Sequence, residues 1–323
     1  VYIKCRVIDK QMMKNKTNKI IHFGDSVFPK VTLACSLLVV AILINILIIL
    51  LVEAWPSIRA FGASFLVTST WNPVKDIYGA VPAIYGTLLS SLLALIIAIP
   101  ISIGAAIFLV EISPGWLRSP VSFIIEMLAA IPSVIVGLWG IFVLVPFVRS
   151  PIESWLGSKL GFLPFFTGPP FGVGFLAAAI ILAIMIIPII TSLSRDVLRA
   201  VPSNQREGMI ALGATRWETI RSVVLPYGRS GLVGAIILGL GRALGETMAV
   251  IMVIGNGYRV TISLFSPGTT VASQIANNFS ESSGLSVSAL IELALVLFLI
   301  TLVVNVVARL LVWRMAKGKL AQD

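Results

Sequence analysis

Arg242 and Glu246 lie four residues apart inside an apolar run that extends over about 230–254. An arginine at the centre of a membrane span costs about 2.5–3.5 kcal/mol on insertion scales, so it calls for a reason. On one helix the two side chains would share a face about 6 Å apart. Arginine offers a planar fork of donors that suits an oxyanion. Glu246 would hold that fork in place and oppose an anion that sat too tightly. The competing reading is a self-neutralising structural pair. Against it, Arg-then-Glu is the less favourable order along a helix, and a buried ion pair is weak grounds for stability.

A second chemical feature is the polar island from Arg206 to Pro226, set between hydrophobic runs. With its flanks it carries Arg195, Arg199, Arg206, Arg216, Arg221 and Arg229. Ser203 after Pro202 is the expected N-cap of a helix over Asn204–Leu212. Gly213 suits the C′ position, and Thr215-x-x-Glu218 is a capping box for a second helix. Pro226 is expected to end that helix. The result is a helix–Gly–helix elbow with apolar Met209, Ile210 and Leu212 and a charged rim of Arg206 and Arg216. Such an elbow fits a groove on another protein; a loop lying on the lipid surface is the alternative.

What must position these features is a membrane. The chain of 323 residues is 58% hydrophobic and 12% charged, with mean hydropathy +1.02, whereas soluble domains are about 25% charged. Six runs are long enough to span, at about 29–52, 83–110, 121–147, 173–193, 230–254 and 287–310. The first reads as an uncleaved span; Met12 or Met13 is the expected neighbourhood of the native start. The expected organisation is a tail over 1–28, a six-span domain over 29–315 with a loop over 194–229, and a tail over 316–323. Eighteen Lys and Arg residues fall on the side of both termini and the 194–229 loop, and five on the other. The positive-inside rule makes the first side cytoplasmic. The net charge of +10 is thereby a topology signal, and no basic segment interleaved with aromatics points to nucleic acid. Trp55, Trp71, Tyr78, Tyr85 and Trp155 are expected as interfacial anchors, and Glu126 and Glu292 are expected to snorkel. Small residues at Gly231, Ala235, Gly239 and again at Gly241, Gly245, Ala249 should pack closely, within the bundle or against a second membrane subunit. His22 and the cysteines Cys5 and Cys35 suggest neither a metal site nor a disulfide. No G-x4-G-K-[ST] is present to cradle ATP phosphates.

Glu207, then Gly213, then Val223-x-Leu225-Pro226 resembles the E-A-A-x3-G-x9-I-x-L-P loop of ABC importer permeases, with Gly208 and Met209 in place of the two alanines. Gly241-Arg-Ala-Leu-Gly-Glu-Thr-Met-Ala249 is similar to the G-R-A-x-G-E-T-M-A motif of the phosphate-importer permeases. Trp71-Asn-Pro-Val-x-Asp76, Glu126-x-Leu-Ala-Ala-Ile-Pro-Ser133, Ile262-Ser-Leu-Phe265 and Gln274-Ile-Ala276 point to the same branch.

The resemblance implies an all-α integral membrane protein with six transmembrane helices and the type I ABC importer permease (MetI-like) fold. It would sit in the inner or plasma membrane of a prokaryote and be a transport subunit rather than an enzyme. It implies a second permease (PstA-like), an ATPase dimer (PstB-like) that binds ATP and Mg, and an extracytoplasmic phosphate-binding protein (PstS-like). No cofactor would be bound by this chain. Arg242 and Glu246 would line the phosphate path, and Arg206, Glu207, Gly213, Arg216, Leu225 and Pro226 would couple to the ATPase. A sister permease, a permease for sulfate or molybdate, a proton-coupled secondary anion transporter and a non-transporting sensor remain open at this point.

Overall fold

A computed structural model describes residues 23–320. His22, Cys5 and the basic residues up to Lys19 lie outside the described residues. In chain order the helices are α1 Phe23–Phe61, α2 Val81–Ile107, α3 Gly115–Ala129, α4 Ser133–Leu160, α5 Phe175–Arg199, α6 Ser203–Ala211, α7 Arg216–Leu244, α8 Met248–Val253, α9 Val271–Asn278 and α10 Leu285–Leu320. Among the described residues, six helical stretches, those of α1, α2, α4, α5, α7 and α10, are long and apolar enough to cross a membrane. The chain divides into two compact units, up to Val52 and from Glu53 onward. The first is the apolar helix of the N-terminal span; everything below concerns the second.

Two expected spans are cut. The run 121–147 breaks between α3 and α4 at Ala130–Pro132, because Pro132 has no N–H to give and pushes Ile131 out of the helical region. The crossing helix is α4, reaching Leu160 through two π turns, Gly140–Leu144 and Val148–Glu153. The run 230–254 breaks after Leu244, so α7 and α8 are separate helices. In the opposite sense, Pro226 does not end a helix. A π turn over Ile220–Val224 precedes it, and Pro226 falls at the start of the regular helix that follows, where a missing N–H and a fixed φ are tolerated. The helix thus runs unbroken from Arg216 to Leu244. The last helix is also longer than expected: α10 continues to Leu320.

α5 is the centre of the packed body. Its Ile181, Leu182, Ile186 and Ile190 are buried together with Ala94, Leu95 and Ala98 of α2 and Ala235 of α7. In lipid the gain comes from close van der Waals contact rather than from expelling water. The first small-residue stripe supplies that contact: a Cβ on Gly231 would lie 2.6 Å from Val197, and one on Gly239 2.6 Å from Ile190. The second stripe shares it only at Ala249, which is buried, whereas a Cβ on Gly241 would meet nothing within 4 Å.

At the end opposite α6, the connections fold back onto the body. Trp71 and Tyr78, expected at the lipid interface, are buried against each other, edge to face at 4.9 Å, beside Val271 of α9 and Leu290 and Leu293 of α10. Asn72 accepts from the amides of Val74 and Lys75 and caps the short turn that turns Trp71 inward. Tyr85 donates to the Thr261 carbonyl at 2.9 Å. Trp55 and Trp155 do remain exposed.

Candidate functional site

Arg242 and Glu246 come together, but across a helix break rather than along one helix. Arg242 lies in the last turn of α7, and Glu246 lies between α7 and α8. Arg242 Nη2 is 3.5 Å from Glu246 Oε2, and Glu246 Oε1 accepts weakly from the Ala249 amide at 3.4 Å. Each charge therefore sits at a helix end of opposite partial charge: the cation at a C-terminus, the anion before an N-terminus. The unfavourable Arg-then-Glu order within a helix no longer applies. The glutamate side chain is 6% exposed and the arginine 47%, so the pair is anchored on the carboxylate side and open on the guanidinium side.

Non-helical backbone at membrane depth is tolerated where it is buried in protein or lines a cavity. Here two breaks meet. A cavity of about 70 Å³ in front of Arg242 is bounded by Ala129 and Ile131 at the α3–α4 break, Val136 of α4, and Met185 and Ile189 of α5. That volume holds roughly two waters. α4 reaches the site because Gly137 permits it: a Cβ there would lie 3.1 Å from the Ala249 Cα and the Met248 carbonyl of α8.

The elbow is built by local backbone chemistry. α6 starts at Ser203 with Pro202 as N-cap, and no side chain caps it. Its end is a Schellman arrangement: Gly213 N–H donates to Ile210 O at 2.9 Å and Ala214 N–H to Met209 O at 3.1 Å, with Gly213 at φ +86°. The Thr215–Glu218 capping box then opens α7, as the sequence predicts. Ile210, Leu212 and Trp217 are exposed together on this elbow, and Glu207 and Arg216 are exposed beside them. Trp217 was not singled out from sequence; its signal was a large aromatic in the first turn of a capped helix.

Arg206 is not part of the charged rim. It turns inward, with Nε and Nη2 at 3.1 and 2.9 Å from Glu111 Oε1 at the end of the α2 span. Its Nη1 donates to the Val201 carbonyl, and Nη2 to the Leu198 carbonyl at 2.7 Å. Leu225 is likewise internal, packed with Ala106, Leu198, Val224 and Leu232. Of the six elbow residues read from sequence, these two fasten the elbow to α2 and α5. Gly213 shapes it, Pro226 lies within α7, and Glu207 and Arg216 face outward.

The two carboxylates expected to snorkel have specific partners. Glu126 pairs with Arg195 at 3.0 Å. Glu292 is buried and accepts from the Ser57 hydroxyl at 2.5 Å.

Residues 98–317 match the family model described as "Binding-protein-dependent transport system inner membrane component". The phosphate transport system permease protein PstC of Haemophilus influenzae is 52% identical over 299 residues, covering 91% of this chain and 95% of that one. The protein of the same name from Mesorhizobium japonicum is 46% identical, covering 90% of each. Among solved structures, the MetNI methionine ABC transporter in an inward-facing conformation has a chain that aligns with TM-score 0.57 at 19% identity, over 76% of this chain and 99% of that chain. A bacterial ABC transporter for alginate import gives TM-score 0.55 at 18% identity, over 90% and 99%. At such identities these structures speak to the fold alone.

Proposed function

The chain belongs to the binding-protein-dependent transport system inner membrane components, and from that membership we propose that it forms half of the translocation path of an ATP-driven phosphate importer. It is a multi-pass membrane permease, a transport subunit rather than an enzyme. The relatives that match it over nine-tenths of their length are phosphate permeases, and the chain carries a cationic fork at a break in a span, the chemistry an oxyanion needs.

The observation that carries the mechanism is the continuity of α7. One helix joins the exposed elbow at Arg216 to Arg242, 26 residues on, a distance of about 40 Å at 1.5 Å per residue. Displacement of the elbow is carried to the arginine along this one continuous helix. In this reading ATP closes a dimer of partner ATPase subunits onto the elbow, with Ile210, Leu212 and Trp217 as the apolar contact and Glu207 and Arg216 as its polar border. The motion passes along α7, and through the Arg206 tether along α5. The small cavity before Arg242 widens, and phosphate released by an extracytoplasmic binding protein passes the guanidinium. Glu246 keeps the fork oriented and limits how tightly the anion is held. A second, homologous permease closes the other half of the path; the open Gly241 and the exposed Leu238 of α7 suit such a close helix contact. In this reading the elbow and both termini face the cytoplasm, which the positive-inside count supports.

The test is ATP-dependent phosphate uptake in vesicles containing the assembled transporter, with sulfate as competitor. Arg242→Gln is expected to abolish uptake while the complex still assembles. Normal uptake by that variant would refute the path role. Uptake driven by a proton gradient without ATP would refute the coupling role of the elbow.

A further inference from the structure

A second, larger cavity lies away from the Arg242 path, at the elbow end of the molecule. It holds about 780 Å³ between the α2–α3 corner, α3 and the end of α5. Four guanidiniums line it, those of Arg118, Arg195, Arg199 and Arg206, against two carboxylates, Glu111 and Glu126. Both carboxylates are spoken for: Glu111 by Arg206 at 2.9 Å and Glu126 by Arg195 at 3.0 Å. Arg118 and Arg199 have no ion pair among the described residues. Arg118 donates through Nη2 to the Ser113 carbonyl at 3.1 Å, yet its Nε is buried with no hydrogen-bond partner. Two guanidiniums without a carboxylate partner leave the lining net cationic, and an oxyanion in the cavity would compensate that charge. Ser119 and Ser122 add hydroxyls, and Leu109 and Phe123 are apolar members of the lining.

We propose that this cavity is a binding site for a phosphate-type anion, held by Arg118 and Arg199, distinct from the Arg242 path. Two sources share that chemistry, free inorganic phosphate and the headgroup of an anionic phospholipid. The consequence is regulatory. Arg206 belongs at once to the cavity wall and to the tether that fastens α6 to α2 and α5. An anion bound beside it competes with Glu111 for the same guanidinium, so occupancy biases the position of the elbow.

The experiment measures binding to the permease–ATPase complex prepared without the extracytoplasmic binding protein and carrying Arg242→Gln, so that the proposed path site contributes nothing. One arm titrates inorganic phosphate in detergent without anionic lipid. The other compares retention of phosphatidylglycerol with phosphatidylcholine by native mass spectrometry. Each arm is repeated with Arg118→Gln and Arg199→Gln. Saturable phosphate binding that weakens about ten- to a hundredfold in both variants supports the site with the free anion as ligand. Selective phosphatidylglycerol retention lost in both variants supports it with the lipid as ligand. Binding of neither probe, or binding unchanged by both substitutions, overturns the proposal. Since uptake is not the readout, failure here leaves the path reading standing, and failure of that reading leaves this one standing.

Discussion

Arg206 offers the sharpest perturbation, because three acceptors from two elements depend on one guanidinium. It spans Glu111 on the α2 side and the carbonyls of Leu198 and Val201 at the end of α5. The ion pair is neither surface nor core: the two side chains are 19% and 14% exposed. Fully exposed pairs are worth about 0–1 kcal/mol and breaking a buried one costs about 3–5 kcal/mol, so about 2 kcal/mol is a fair figure between them. Each hydrogen bond from a charged group to a carbonyl adds about 1.5 kcal/mol. Arg206→Ala should then free the elbow by about 3–5 kcal/mol. Arg206→Lys keeps the charge, but one nitrogen cannot span three acceptors, so about 2 kcal/mol is lost, a roughly thirtyfold rise in local opening. Amide exchange over Ser203–Ala211 reads this directly. Glu111→Gln combined with Arg206→Lys should cost less than the two changes summed, because they share one interaction. Exchange in Arg206→Ala within threefold of the parent would refute the tether, and with it the idea that α5 and α7 move together.

Substitutions at four further positions separate local strain, packing and docking. A Cβ on Gly213 would meet nothing within 4 Å, so Gly213→Ala acts only through φ +86°, a cost of about 1–2 kcal/mol. It should lower phosphate moved per ATP hydrolysed, with Gly213→Asn milder; equal loss in both would refute backbone strain as the cause. Gly86→Ala places a Cβ 1.9 Å from the Thr269 carbonyl oxygen, a backbone clash, and should prevent assembly, whereas Gly239→Ala meets the Ile190 side chain at 2.6 Å, which can repack in part, and should lower recovery less; recovery from membranes measures both. Trp217→Ala removes the large exposed aromatic of the elbow and should weaken retention of the ATPase on purification without altering the thermal stability of the permease. Unchanged retention would remove Trp217 from the docking surface.

The elbow was legible at close range. Gly213 and the Thr215–Glu218 box satisfy backbone groups within a few residues of themselves, so composition and spacing were enough to place them. Pro226 misled because the rule that proline stops a helix ignores a preceding π turn, which depends on how neighbouring turns pack. Arg206 misled for a different reason: its partner Glu111 is 95 residues away, and an arginine on a polar loop looks the same whether it faces out or in.

The sequence by itself determined a six-span membrane helix protein, a polar elbow between two spans, and an arginine and a glutamate at one depth in an apolar run. Hydropathy, charge asymmetry and capping chemistry act locally, and a chain can be read for them without its neighbours. Only the tertiary structure decided that Arg242 and Glu246 face each other across a break, that this break meets another at Pro132, and that Trp71 is buried. A break in a span is tolerated only where other elements cover it, and which elements do so is a property of the packed body.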